Sequence, residues 1–69
     1  MKIHYAIWET PGDEPVVFLG RTSEQVRVKL WACLNERIGA DHVGNSLDEY
    51  IEATEGTDEY ITIDSQEVE

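Results

Sequence analysis

Lysine and arginine are absent after Arg37, and ten of the 15 Asp and Glu residues of this 69-residue chain follow that position. Up to Arg37, five basic and five acidic side chains balance, so the formal net charge of −10 belongs to the second half. Such a surface repels nucleic acid and anionic membranes, so we expect direct contact with neither. It favours a basic protein surface as partner, and the best-known basic surfaces hold DNA or RNA.

Cysteine is also nearly missing, because Cys33 is the only one in the chain. A single cysteine excludes an internal disulfide and a cysteine-cluster zinc site, and it is typical of a reducing cytoplasm. Cys33 lies inside a predicted helix, where a structural thiol is more common than a nucleophile. Long apolar runs are absent as well, and the start of the chain lacks the apolar segment of an export signal. We therefore expect a cytoplasmic protein.

Motifs of catalysis and metal binding are missing too. His4 falls on a predicted strand and His42 in a predicted linker, and the sequence has no HExxH pair, no GxSxG elbow and no glycine-rich phosphate loop. The EF-hand calcium pattern is absent, since Asp58 and Glu59 lead into a predicted strand. We expect no catalytic residue, no metal and no cofactor, and hence a protein that is not an enzyme.

What is present is enough apolar sequence for one small domain, residues 1–69, because 41% of the residues are hydrophobic. Residues 2–9 alternate in the manner of a strand, and residues 10–15 are rich in turn formers. Residues 16–19 are a second β-prone run, which ends at Gly20. These three segments predict a β-hairpin.

A long helix is predicted over residues 23–38. Thr22 and Ser23 are both competent N-caps, Gln25 occupies the capping-box position three residues after Thr22, and Gly39 is a typical C-terminal stop. The spacing of its apolar residues is helical. These residues are Val26, Leu30, Trp31, Ala32, Leu34 and Ile38.

A second, shorter helix begins after Ser46, because Ser46 and Glu49 repeat the capping box, and it ends near Gly56. Its buried side comprises Leu47, Tyr50, Ile51 and Thr54. Residues 59–65 alternate again and predict a third strand before an acidic tail.

The element order ββααβ predicts an α+β fold, in which a three-stranded antiparallel sheet carries both helices on one face. So few residues leave the other sheet face open to solvent or to a partner. We expect that face to carry His4, Trp8, Tyr60 and Thr62. Trp8 beside Tyr60 is either an interaction patch or a pair of partly covered rings that cap a thin domain.

The acidic residues form a row along the second helix. Asp48, Glu52 and Glu55 are spaced i, i+4 and i+7, so they share the outer helix face at intervals of about 5 to 6 Å. Phosphates follow each strand of B-DNA at about 3.4 Å, so the row presents charge at a comparable density. A sequence selected for stability alone would place lysines there. Solubility and salt adaptation are two other interpretations, although the neutral first half does not fit salt adaptation.

In its short length, small α+β core and acidic second half, the chain resembles the phage-encoded DNA-mimic inhibitors, in particular the small anti-CRISPR proteins that block the type I surveillance complex, Cascade. The resemblance rests on an acidic run that comprises Asp48, Glu49, Glu52, Glu55, Asp58, Glu59 and Asp64. It implies that these carboxylates replace DNA phosphates in the lysine- and arginine-lined site where Cascade receives target DNA. It also implies a non-enzymatic phage protein that acts in the host cytoplasm.

Binding of this kind uses a few apolar anchors, for which Trp8, Tyr50 and Tyr60 are the candidates. An alternative function is a protein-interaction or antidote module that binds a basic partner, such as a toxin, nuclease or restriction enzyme, through the open sheet face. In that case the sheet edge and its aromatic residues dominate binding. In both cases we expect a monomer.

Overall fold

The computed structural model describes residues 1–68, in which three strands and three helices follow one another. The elements are β1 (Lys2–Glu9), β2 (Val16–Gly20), α1 (Ser23–Ile38), α2 (Ala40–Val43), α3 (Leu47–Thr54) and β3 (Tyr60–Glu67). Every predicted element is present, and β3 begins one residue later and ends two residues later than predicted. The sequence interpretation missed α2, a helix of four residues.

The short helix α2 occupies the segment that was predicted to be a linker. It lies between Gly39 and Gly44, both of which have a positive φ that side chains rarely adopt. Val43 is buried in the core, so the single turn brings an apolar side chain of the linker back onto the domain. The observed order is therefore ββαααβ.

The helix starts have the predicted side-chain caps. The Thr22 hydroxyl accepts from the Gln25 N–H at 3.2 Å, and the Gln25 carboxamide oxygen accepts from the Arg21 N–H at 2.8 Å. The Ser46 hydroxyl accepts from the Glu49 N–H at 3.2 Å. The bonds to Thr22 and Ser46 satisfy amide donors that a first helical turn leaves without a partner, which favours helix starts at these positions.

The three strands form one antiparallel sheet in the order β2-β1-β3, so β1 is central and the α+β fold is confirmed. One sheet face packs against the helices. Its core comprises Ala6, Trp8, Val26, Leu30, Leu34, Val43 and Leu47, with Phe18, Ile61 and Ile63 packed against it. Residues of all three helices thus lie on the same side of the sheet. This position was predicted for the two longer helices.

The face assignment of β1 differs from the prediction. Trp8 is 6% exposed and lies in the core with Ala6, so the prediction that Trp8 and His4 face the open side is wrong. The strand is apolar on both sides, and alternation alone does not say which side the helices cover. Tyr60 and Thr62 do lie on the open side, where they are exposed.

None of the helices within residues 1–68 combines the length and the apolar character that crossing a bilayer requires.

Candidate functional site

Helix α3 presents its carboxylates outward because its apolar side faces the core. Leu47 and Thr54 are buried, and Tyr50 and Ile51 are half-buried. The positions between them point to solvent, as expected for a short amphipathic helix. The exposed acidic residues of α3 are Asp48, Glu49 and Glu52.

The row continues beyond the helix without keeping its helical spacing. Glu55 is the C-cap of α3 and has an extended backbone with ψ of 131°, and the chain then turns at Gly56 with φ of 83°. Glu55 and Asp58 are nevertheless exposed. We call the exposed carboxylates of this segment the acidic surface, which comprises Asp48, Glu49, Glu52, Glu55 and Asp58.

Asp48 is the one member of the acidic surface with a basic partner among the described residues. Arg27 on α1 donates to its Oδ1 at 2.7 Å, with the two side chains 35% and 79% exposed. The pair joins α1 to the start of α3. The other four carboxylates have no ion pair within residues 1–68.

Glu59 does not extend the acidic surface, which corrects the sequence interpretation. Its Oε1 accepts two hydrogen bonds of 2.6 Å, one from the Trp8 indole N–H and one from the Tyr50 hydroxyl. A half-buried carboxylate with two side-chain donors serves the fold by satisfying the polar ends of two aromatic residues. Glu59 is therefore a half-buried residue with a structural contact.

The same network changes the expectation about apolar anchors. Trp8 lies in the core and is not available to a partner. Tyr50 is half-buried, and its hydroxyl is occupied by Glu59. Burial first, and then the hydrogen bond to Glu59 and the charge of that carboxylate, raise the pKa of Tyr50 above its ordinary value of 10.0. Of the three candidates, Tyr60 alone is exposed, at 62%.

Asp64 and Tyr60 lie on the other side of the molecule from the core helices. In β3 they alternate with Ile61 and Ile63, and Asp64 pairs with Tyr5 on the open sheet face. Directly paired residues of an antiparallel ladder point to the same face. The seven predicted carboxylates are therefore split: five form the acidic surface, Glu59 is half-buried beside Trp8 and Tyr50, and Asp64 lies on the open sheet face.

The open sheet face holds residues that the sequence interpretation did not select. Val17 and Leu19 on β2 are 55% and 58% exposed, beside Ile3, Tyr5 and Ile7 of β1. The sequence of β1 could have indicated an apolar open face, because the strand has apolar residues on both sides and only one side packs in the core. A second candidate surface is therefore apolar.

The two histidines and the cysteine lie on three different elements of the fold. Within residues 1–68 no three His, Cys, Asp or Glu side chains converge as a metal site. His42 is exposed on α2, Cys33 is a free, half-buried thiol on α1, and His4 is half-buried on β1.

Comparison with protein-family models, with curated proteins and with solved structures found no match to this chain.

Proposed function

We propose that this protein is a non-enzymatic inhibitor whose acidic surface mimics DNA and occupies the DNA-binding site of a basic protein in the host cytoplasm. The specific target that we propose is the type I CRISPR surveillance complex, on the strength of the resemblance in size and charge pattern. The supporting observation is a set of four exposed carboxylates on one continuous segment that have no ion pair within residues 1–68: Glu49, Glu52, Glu55 and Asp58.

The distribution of basic residues supports this proposal. Arg27, Lys29 and Arg37 all lie on α1, and residues 38–68 contain none. Arg27 is held by Asp48, the Lys29 ammonium donates to the Leu19 carbonyl at 2.6 Å, and the Arg37 guanidinium lies 5.9 Å from the centre of the Trp8 ring. Among the described residues, Arg27 alone neutralises part of the acidic surface, at its Asp48 edge. The negative potential of the other carboxylates therefore attracts a basic partner over a long range.

The mechanism is competitive occlusion, in which no bond is made or broken. Carboxylates contact the lysine and arginine side chains that otherwise hold phosphates, and the bound protein excludes DNA from the site. Because Trp8 and Tyr50 are engaged inside the domain, charge contributes more to this contact than apolar anchoring. Binding of this kind associates rapidly and weakens steeply as salt is added.

The test is competition for Cascade between this protein and labelled double-stranded target DNA. The double variant Glu52→Lys with Glu55→Lys should weaken inhibition by about tenfold or more, because two attractive contacts become repulsive. Glu14→Lys with Glu36→Lys is the matched control, since it changes the net charge equally at exposed positions outside the acidic surface. The control should inhibit nearly as well as the native chain.

A pull-down from bacterial lysate at low and high salt tests the wider proposal. Recovery of DNA-binding proteins that double-stranded DNA displaces, and that the Glu52→Lys, Glu55→Lys variant does not retain, supports DNA mimicry. Recovery only of proteins that are indifferent to salt, to DNA and to this variant overturns it. Failure to inhibit Cascade, with the other results positive, overturns the specific target and leaves DNA mimicry of another protein.

A further inference from the structure

The open face of the sheet carries an apolar groove that no element of the described chain covers. The groove encloses about 310 Å³. It is lined by Ile3, Tyr5, Ile7, Val17, Leu19, Gln66 and Val68. The buried hydrophobic residues of α1, α2 and α3 all belong to the core on the opposite sheet face.

The central strand has the composition of a strand that is covered on both sides. Ala6 and Trp8 pack under the helices, while Ile3, Tyr5 and Ile7 face the groove. Strands with apolar residues on both faces are typical of three-layer structures, whereas a sheet with one solvated face has polar residues there. The exposed Val17 and Leu19 continue the apolar face onto β2, so this surface has the character of an interface.

The charges on this face specify the sign of its partner. Glu9 and Asp64 lie on it, because Glu9 follows Ile7 by two residues along β1 and Asp64 pairs with Tyr5. Lys2 alternates onto the other face, and the Lys29 ammonium reaches only the edge of β2, where it donates to the Leu19 carbonyl. The N-terminal ammonium lies at the Val68 end of the groove, where Glu67 pairs with it at 3.2 Å. An occupant with lysine or arginine beside its apolar residues is complementary to this arrangement.

We propose that the open sheet face docks an amphipathic helix of another protein, with an apolar stripe on the groove and basic residues near Glu9 and Asp64. The eight residues of β1 extend about 27 Å, which matches a helix of about 18 residues. The three strands together are about 14 Å wide, close to the diameter of a helix with its side chains. This proposal stands apart from DNA mimicry, since it uses the opposite layer of the domain.

A second copy of this chain fits the face less well, because of charge. A symmetric pair would bring the Glu9 and Asp64 carboxylates of two chains together, each chain with a net charge of −10.

The test uses a designed peptide of about 18 residues with a leucine stripe flanked by lysines, and a matched peptide in which glutamate replaces lysine. Binding is followed by the NMR shifts of the methyl groups of Ile3, Ile7, Val17 and Leu19. The lysine peptide should shift these methyl signals, and the glutamate peptide should bind at least about tenfold more weakly.

Two variants locate the site. Leu19→Lys should weaken binding of the lysine peptide by about tenfold, since it places a cation in the groove, and Val17→Lys is a second variant of the same kind. Val28→Lys is the matched control, because Val28 is 61% exposed on α1 and the charge change is identical. It should leave the affinity unchanged, and circular dichroism checks that each variant is folded.

Three results would overturn the proposal. In one, the lysine peptide shifts signals of α3 and leaves the groove methyls unaffected, so that it binds the acidic surface. In the second, the groove methyl signals shift when the protein concentration is raised without peptide, which would mean that another copy of the chain occupies the groove. In the third, both peptides bind equally, so that the charges on the face do not select the partner.

Discussion

Trp8 and Glu59 are joined by a hydrogen bond of 2.6 Å between the indole Nε1 and the carboxylate Oε1, although 51 positions separate them in the chain. The bond connects the end of β1 to the residue that enters β3. Because Tyr50 donates to the same oxygen, α3 is held at this point as well. One carboxylate of a strongly acidic segment thereby serves the fold, while its neighbours remain on the surface.

Replacing Glu59 with alanine should destabilise the protein. The substitution leaves the Trp8 N–H and the Tyr50 hydroxyl without their acceptor, and unpaired groups of this kind reduce the free energy of unfolding by about 2 kcal/mol in all. Urea unfolding monitored by circular dichroism measures the change. Glu55→Ala is the control, since Glu55 is exposed, and it should change the free energy by less than about 0.5 kcal/mol. If Glu59→Ala lowered the free energy of unfolding no more than Glu55→Ala does, Glu59 would have no structural role.

Tyr50 should make stability fall at alkaline pH. Its pKa is raised in the folded protein, so the neutral hydroxyl is favoured there, and the unfolded chain releases the proton first. The contribution is fully present below the ordinary pKa of 10.0 and is lost as the pH rises above it. Urea unfolding between pH 8 and pH 11 should show a steeper decline for the native chain than for Tyr50→Phe. Parallel curves would contradict this prediction.

Salt should stabilise the protein. Screening weakens the mutual repulsion of the carboxylates, so the free energy of unfolding should rise as sodium chloride is added from low concentration. The variant Glu52→Lys with Glu55→Lys changes the net charge from −10 to −6, because each substitution adds two units, and it should gain less from salt. Thermal unfolding at several salt concentrations measures both. A stability that falls with salt in the native chain would show that its favourable ion pairs outweigh the repulsion.

The ion pair between Arg27 and Asp48 should contribute little to the free energy of unfolding. Asp48 is mostly exposed, and pairs of this kind typically contribute about 0.2 to 1 kcal/mol. A double-mutant cycle with Arg27→Ala and Asp48→Ala isolates the coupling energy, which should decrease as salt is added. A salt-independent coupling above about 2 kcal/mol would mean that the pair is shielded from water in solution.

The secondary structure could be predicted because its signals are local. Thr22 and Ser46 cap helices through bonds to amides three residues away, and Gly39 ends α1 at a positive φ. The apolar residues at every second position of a strand, and at every fourth position of α1, are likewise patterns among neighbours in sequence. The missed helix α2 has only one turn, and its formation depends on burial of Val43, a contact with distant residues.

The sequence by itself determined the strands, the two longer helices, the α+β class and the concentration of carboxylates after Arg37. Tertiary structure decided which side of β1 is covered, and so placed Trp8 in the core and Ile3, Tyr5 and Ile7 on the open face. It also turned Glu59 inward. The reason is that alternation divides the residues of a strand between two faces but does not say which face is buried. The packing of the helices decides which face that is. Likewise, a carboxylate becomes structural only when distant donors reach it.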